Sequence, residues 1–117
     1  MNTIELVREI IATYRRHGWQ LRRALLRRET LAGLSARGEN LSEESGALPV
    51  SEAMIDALWF ARPSAGGREA WELRHVAEAP FALFEMFEPD EEEEDRDDVR
   101  REMEAQMIER IGGTAEA

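Results

Sequence analysis

The chain has 117 residues, a length typical of one domain, and contains no cysteine, which excludes disulfide bonds, thiolate metal sites and cysteine nucleophiles. Its formal net charge of −10 is uneven: residues 1–40 hold eight Arg and four Glu, whereas residues 41–117 hold seven Arg and 21 acidic residues. No apolar run reaches the roughly 20 residues that a membrane span requires, and residues 1–9 lack the pattern of a signal peptide. We therefore expect a cytoplasmic protein with no membrane contact that forms a single domain over residues 1–117.

The first predicted element is a helix over residues 3–17. Asn2 and Glu5 have the spacing of a capping box, and Gly18 is a suitable left-handed stop. Between them, apolar residues recur every three or four positions and form one helix face: Ile4, Val7, Ile11 and Tyr14. This pattern predicts that one side of the helix packs against the rest of the chain.

Residues 19–27 are compatible with two structures. Alternating apolar residues, beginning at Trp19, predict a strand that is followed by a short helix near residues 29–36. The alternative is a helix that continues through Leu31 and Leu34, since Leu, Arg and Ala all favour helices. We favour the strand because Gly18 interrupts the preceding helix. Residues 37–50 are rich in Gly, Ser and Glu, and we expect a mobile loop there.

Three further strands, at residues 55–62, 69–76 and 81–87, form a predicted meander. The links between them are short, and short links join antiparallel neighbours. Asp90 can cap a final helix over residues 90–111, which Gly112 and Gly113 would end. The predicted fold is therefore α+β. It consists of an antiparallel sheet of about four strands, from residues 19–27 and the meander, packed by the helices at 3–17 and 90–111.

The strand at 81–87 lacks the alternation that a sheet with one solvated face shows, because six of its seven residues are apolar. Such a composition is typical of a strand that is covered on both faces. The helices could be split between the two faces of the sheet. We favour the alternative that they share one face and that a second copy of the chain covers part of the other. The predicted interaction surface of this homodimer consists of Leu58, Phe60, Phe84 and Met86.

A segment at residues 15–28 combines positive charges with an aromatic ring, as sites for single-stranded nucleic acid do. Its candidate contacts are Arg15, Arg16, Trp19, Arg22, Arg23, Arg27 and Arg28. The net charge of −10 opposes phosphate binding at long range. The acidic residues 90–98 can also neutralise these arginines. We favour this structural pairing and keep nucleic-acid binding as an alternative.

An enzyme is the weakest of the three hypotheses. A shallow site can be drawn around His75, Glu72 and Glu85, but the sequence has no nucleophile elbow and no phosphate-binding loop. The acidic run 90–98 lacks the Gly and the alternating ligands of a calcium-binding loop. We predict no cofactor and no metal site. The leading hypothesis is a non-catalytic protein-interaction module that acts as a homodimer and binds a protein partner.

Overall fold

The computed structural model describes residues 2–38, 41 and 48–116, which form an α+β fold, as the sequence predicts. Within these ranges, three α-helices and five strands follow one another: α1 (Thr3–Arg16), β1 (Gln20–Leu26), α2 (Arg28–Ala36), β2 (Val50–Glu52), β3 (Ala57–Pro63), β4 (Glu69–His75), β5 (Ala82–Phe87) and α3 (Glu93–Glu116). A short 3-10 turn at Ala65–Gly67 links β3 to β4. None of the helices in the described part of the chain is both long enough and apolar enough to cross a membrane.

The five strands form one mixed sheet in the order β2-β1-β3-β4-β5. Four of them are antiparallel neighbours, but β2 lies parallel to β1, with Val50 opposite Ala24. The prediction of a purely antiparallel sheet of about four strands is therefore wrong. The sequence pattern does not reveal β2, because a strand of three residues is too short to show alternation. β1 confirms the strand interpretation of residues 19–27. In the predicted loop 37–50, Val50 belongs to β2, and residues 39, 40 and 42–47 lie outside the described residues.

The helices lie on both faces of the sheet, so the prediction that they share one face is wrong. α1 and α2 pack on one face, in an apolar cluster with Leu58 and Phe60 of β3. α3 packs on the other face, where Met107 belongs to the same cluster as Trp59. Residues 57–61 of β3 are all buried as a result. The continuous apolar run of this strand is thus explained within one chain, without a partner.

The bounds of α3 differ from the predicted 90–111. The helix begins three residues after Asp90, because a turn precedes it in which the Glu91 carboxylate accepts a hydrogen bond from the N–H of Glu88. It also continues through Gly112 and Gly113, which do not end it. A glycine costs a helix about 1 kcal/mol relative to Ala, which weakens the last turn without forbidding it.

Arginine forms part of the inner face of α3. The Arg100 side chain is 6% exposed, and its guanidinium carbon lies 4.4 Å from the centroid of the Trp71 ring. Arg100 also pairs with Glu93 and Asp97 on its own helix. Arg96 lies 5.6 Å from the centroid of the Phe87 ring. Cation–π contacts and ion pairs therefore offset part of the cost of burying these charges.

The buried carboxylate of Asp56 joins α2 to the sheet. It accepts hydrogen bonds from the backbone N–H of Arg27 at 2.8 Å, from Nε of Arg27 at 3.0 Å and from the Thr30 hydroxyl at 3.0 Å. Arg27 is the N-cap residue of α2 and makes no side-chain capping bond, so Asp56 provides the negative charge that a helix N-terminus favours. The backbone carbonyl of Asp56 accepts a hydrogen bond from the N–H of Val76, which follows β4. Asp56 thereby fixes α2, β3 and the end of β4 to one another.

We expect Asp56→Ala to lower the free energy of unfolding by about 3 kcal/mol, because it removes three hydrogen bonds and leaves the buried Thr30 hydroxyl without its acceptor. Urea denaturation measures this loss. Asp98→Ala is the control, since Asp98 is 66% exposed and pairs with Arg101 at the surface. The control should change the free energy of unfolding by no more than about 0.5 kcal/mol. Equal losses in the two variants would contradict the role given to Asp56.

Candidate functional site

Part of the sheet face that carries α1 is left open, at β5. Phe60, Glu72 and Phe84 are cross-strand neighbours, so their side chains point to the same face of the sheet. Phe60 lies beneath α1, but Phe84 is 55% exposed and Met86 is partly exposed. We call the surface formed by Ala82, Phe84 and Met86 the open half-face.

Two of the four residues predicted to form the interaction surface lie in the core. Leu58 and Phe60 are 0% and 1% exposed and pack under α1, so the prediction is wrong for them. The sequence pattern could not distinguish core residues from contact residues, because a strand has the same apolar composition whether its own chain or a partner covers it. Phe84 and Met86 lie together on the open half-face.

β5 is also a free edge of the sheet, since no strand of the described residues pairs with its outer side. The N–H of His75 donates a 2.9 Å hydrogen bond to the carbonyl of Phe81, so the backbone of Phe81 faces β4. Since backbone groups alternate along a strand, those of Ala82, Phe84 and Met86 point away from β4. The outward N–H of Met86 donates to the Glu85 carboxylate at 3.3 Å, which partly blocks the edge.

Tyr14 of α1 marks the boundary between the covered and the open part of this face. Its ring stacks on Phe60 with the centroids 4.1 Å apart, and its hydroxyl donates a hydrogen bond to the Glu72 carboxylate. Burial and the bond to Glu72 raise the pKa of Tyr14 well above its usual value of 10.0. The tyrosine of the folded protein therefore stays neutral at the pH near 10 at which a free tyrosine ionises.

A second feature is a cleft of about 480 Å³ at the place where β1 begins and β3 ends. Three of the seven predicted nucleic-acid contacts line it, namely Arg15, Trp19 and Arg22. Arg62, at the end of β3, adds a further guanidinium to the lining. The guanidinium carbon of Arg62 lies 5.1 Å from the Trp19 ring centroid, and Nη1 donates a 2.9 Å hydrogen bond to the carbonyl of His17. We call this feature the arginine cleft.

The other four predicted contacts have partners elsewhere in the chain: Arg16 with Thr13 at 3.2 Å, Arg23 with Glu104 at 3.9 Å, Arg27 with Asp56 at 3.0 Å and Arg28 with Glu52 at 3.6 Å. Three of these partners are carboxylates, and all three lie outside the acidic run 90–98. The pairing of β1 with β3 shifts register between Leu21 and Arg23. Such a bulge redirects side chains, so neighbouring arginines of the segment do not form one continuous surface.

Two arginines of the cleft lack a carboxylate partner among the described residues. Arg22 lies 5.7 Å from the Trp71 ring centroid, and within the described ranges neither Arg22 nor Arg62 forms an ion pair with a carboxylate. Glu69 also lines the cleft, but it accepts hydrogen bonds from Nε1 of Trp71 at 2.7 Å and from Arg96 at 3.3 Å. The sequence did not indicate Arg62, because only the pairing of strands in the folded sheet brings it close to residues that are distant in sequence.

The residues of the hypothetical enzyme site do not come together. Glu72 binds Tyr14 on the α1 face, whereas His75 lies on the α3 face, because successive residues of β4 alternate. Glu85 lies opposite Trp71, which precedes His75 by four residues on β4. Burial and the nearby Arg74 lower the pKa of His75 below its usual value. In the described part of the chain, no three His or acidic residues are grouped as a metal site requires.

Tyr14 gives a specific pH prediction. It is the single tyrosine, and the chain has no Lys and no Cys, so it is the one side chain that ordinarily titrates near pH 10. Because the folded pKa is raised, the unfolded chain ionises first, and the free energy of unfolding should fall as the pH rises above about 10. Tyr14→Phe should remove this fall and cost about 1 kcal/mol at neutral pH. Urea denaturation across the pH range and the tyrosinate absorbance of the native protein measure both effects. Normal ionisation of Tyr14 near pH 10 in the native state would contradict the buried Tyr14–Glu72 contact.

Comparison with known proteins does not assign the chain to a family. No protein-family model, no curated protein and no solved structure matches it. The function has to be inferred from the open half-face, the free edge of β5 and the arginine cleft.

Proposed function

We propose that the chain is a non-catalytic protein-interaction module that acts as a homodimer, with β5 as the contact strand. The single observation that carries this proposal is the 55% exposure of Phe84 on the open half-face. A large aromatic side chain on an unpaired edge strand favours association, because contact removes its apolar surface from water and pairs free backbone groups. A second copy of the chain can do both at once.

A two-fold antiparallel pairing of β5 with itself is favourable when it is centred on Phe84. In this register Phe84 lies opposite Phe84 of the partner subunit, and Ala82 lies opposite Met86 of the partner subunit. Glu85 then lies opposite Leu83 of the partner subunit. A register centred on Glu85 would instead place two carboxylates opposite each other, which is unfavourable. The charge pattern of the strand therefore supports the Phe84-centred register over its neighbour.

The outward backbone groups support the same arrangement. Ala82, Phe84 and Met86 direct their N–H and C=O groups away from β4, and two copies of this edge are complementary. Formation of the dimer exchanges the bond between the Met86 N–H and the Glu85 carboxylate for one to the partner backbone. The carboxylate returns to solvent at little cost, because it lies at the rim of the contact.

The alternatives have less support. Nucleic-acid binding through residues 15–28 is opposed by the net charge of −10 and by the carboxylate partners of Arg23, Arg27 and Arg28. A catalytic site near His75 lacks convergent acid and base groups. The absence of cysteine is consistent with a reducing cytoplasm, where we place the protein.

Light scattering coupled to gel filtration tests the homodimer over a concentration series. We expect a mass that approaches twice the 13.4 kDa of one chain as the concentration rises. Because each copy carries a net charge of −10, salt screens the repulsion between copies, and the dimer should tighten as the ionic strength increases. A mass of 13.4 kDa at every protein and salt concentration would contradict the proposal.

Phe84→Glu should raise the dissociation constant of the dimer at least about tenfold, because it places two charges at the centre of the contact. Val50→Glu is the matched control. Val50 is 42% exposed on β2, at the opposite edge of the sheet, and the same charge there should leave the dimer nearly unchanged. Equal weakening by the two variants would show that β5 is not the contact strand.

A further inference from the structure

We propose that the arginine cleft binds a small anionic ligand that carries a phosphate or carboxylate group and a flat ring. The cleft is separate from the proposed dimer contact, because β3 and β4 lie between β1 and β5 in the sheet. The inference therefore does not depend on the homodimer.

The local charge of the cleft favours an anion. Among the described residues, its lining includes three arginines, Arg15, Arg22 and Arg62, and one acidic residue, Glu69, in a chain whose net charge is −10. The Glu69 carboxylate already accepts two hydrogen bonds, whereas Arg22 and Arg62 form no ion pair among the described residues. Seven other arginines do lie near carboxylates: Arg23, Arg27, Arg28, Arg68, Arg96, Arg100 and Arg101. Arg22 and Arg62 thus bring to the cleft positive charge that no carboxylate of the described residues pairs with.

The lining of the cleft offers the groups that an organic anion requires. A guanidinium group presents paired N–H donors that match the oxygens of a carboxylate or a phosphate. Arg62 is held in place by the Trp19 ring and by the carbonyl of His17, so it is partly preorganised for such an anion. Pro63, which is exposed, and the half-buried Trp19 supply apolar surface to the same cleft, and this surface suits a flat organic ring beside the anionic group.

The cleft has the size of a small-molecule site. A cleft of about 480 Å³ falls in the range that small-molecule sites occupy, roughly 300–1,000 Å³. A single-stranded nucleic acid instead requires a basic groove that continues along its backbone. The next arginines along the segment, Arg23, Arg27 and Arg28, lie near Glu104, Asp56 and Glu52. Along β1 and into α2, the uncompensated charge therefore ends with the cleft, which favours a ligand of about one nucleotide in size over a polymer that follows this segment.

Nuclear magnetic resonance of the ¹⁵N-labelled protein tests this proposal with adenosine monophosphate as the probe. The indole N–H signal of Trp19 is identified by its loss in Trp19→Phe. We expect adenosine monophosphate to shift this signal saturably, and adenosine or inorganic phosphate alone to bind at least about tenfold more weakly, since each lacks half of the contacts. Absence of a saturable shift with adenosine monophosphate would overturn the proposal.

Variants of the cleft give the second part of the test. Arg22→Ala and Arg62→Ala should each weaken binding of adenosine monophosphate at least about tenfold, because each removes a charge-assisted contact. Arg28→Ala is the matched control from the same segment and should bind as the wild type does. The amide spectrum of each variant shows whether it is folded, and Arg22→Ala decides the outcome if Arg62→Ala is not. Unchanged binding in folded Arg22→Ala would overturn the assignment.

Two further outcomes separate this site from the alternatives. Phe84→Glu should leave binding of adenosine monophosphate unchanged, so failure of the homodimer and failure of the cleft are distinguishable. A thymidine oligonucleotide should bind no more tightly than adenosine monophosphate. Tighter and strongly salt-dependent binding of the oligonucleotide would replace the small ligand by a nucleic acid.

Discussion

The burial of β3 on both faces is the constraint on which the rest of the structure depends. Residues 57–61 are apolar and wholly buried, so the sheet needs a cover on each side. α1 with α2 provides one cover and α3 the other. Because α1 lies over β1 and β3, its cover stops at Tyr14, and Phe84 on the outer strand is left exposed. The open half-face thus exists because α1 does not extend over β5.

Asp56 and the arginines hold these layers in place by different means. The Asp56 carboxylate is buried and accepts three hydrogen bonds, which ties α2 to the sheet through a charged side chain. On the other face, Arg96 and Arg100 of α3 lie over aromatic rings and pair with acids. A buried charge is tolerated in both places because it is paired. The guanidinium groups of Arg22 and Arg62 also lie over rings, but in the part of the chain that the structure describes no carboxylate pairs with them, and this difference marks the arginine cleft.

The two proposed sites lie at different places on the same sheet and depend on different interactions. The edge of β5 has an exposed aromatic ring and outward backbone groups, which suit a second protein strand. The arginine cleft has guanidinium groups and a tryptophan, which suit an organic anion. Salt acts on them in opposite directions: screening lowers the repulsion between two acidic copies, and it weakens attraction between arginine and an anion. The structure thereby offers two surfaces that can be studied independently in one chain.

The sequence by itself determined most of the secondary structure. The helix near residues 3–17, the strand at 19–27, the short helix at 29–36 and the meander follow from hydrophobic periodicity and turn residues, which are properties of neighbours along the chain. Only the tertiary structure decided which apolar side chains are covered, since Phe60 and Phe84 have similar sequence surroundings and opposite exposure. It also decided that β2 pairs in parallel with β1 and that Arg62 lies over Trp19. These contacts join residues distant in sequence, and no local pattern specifies them.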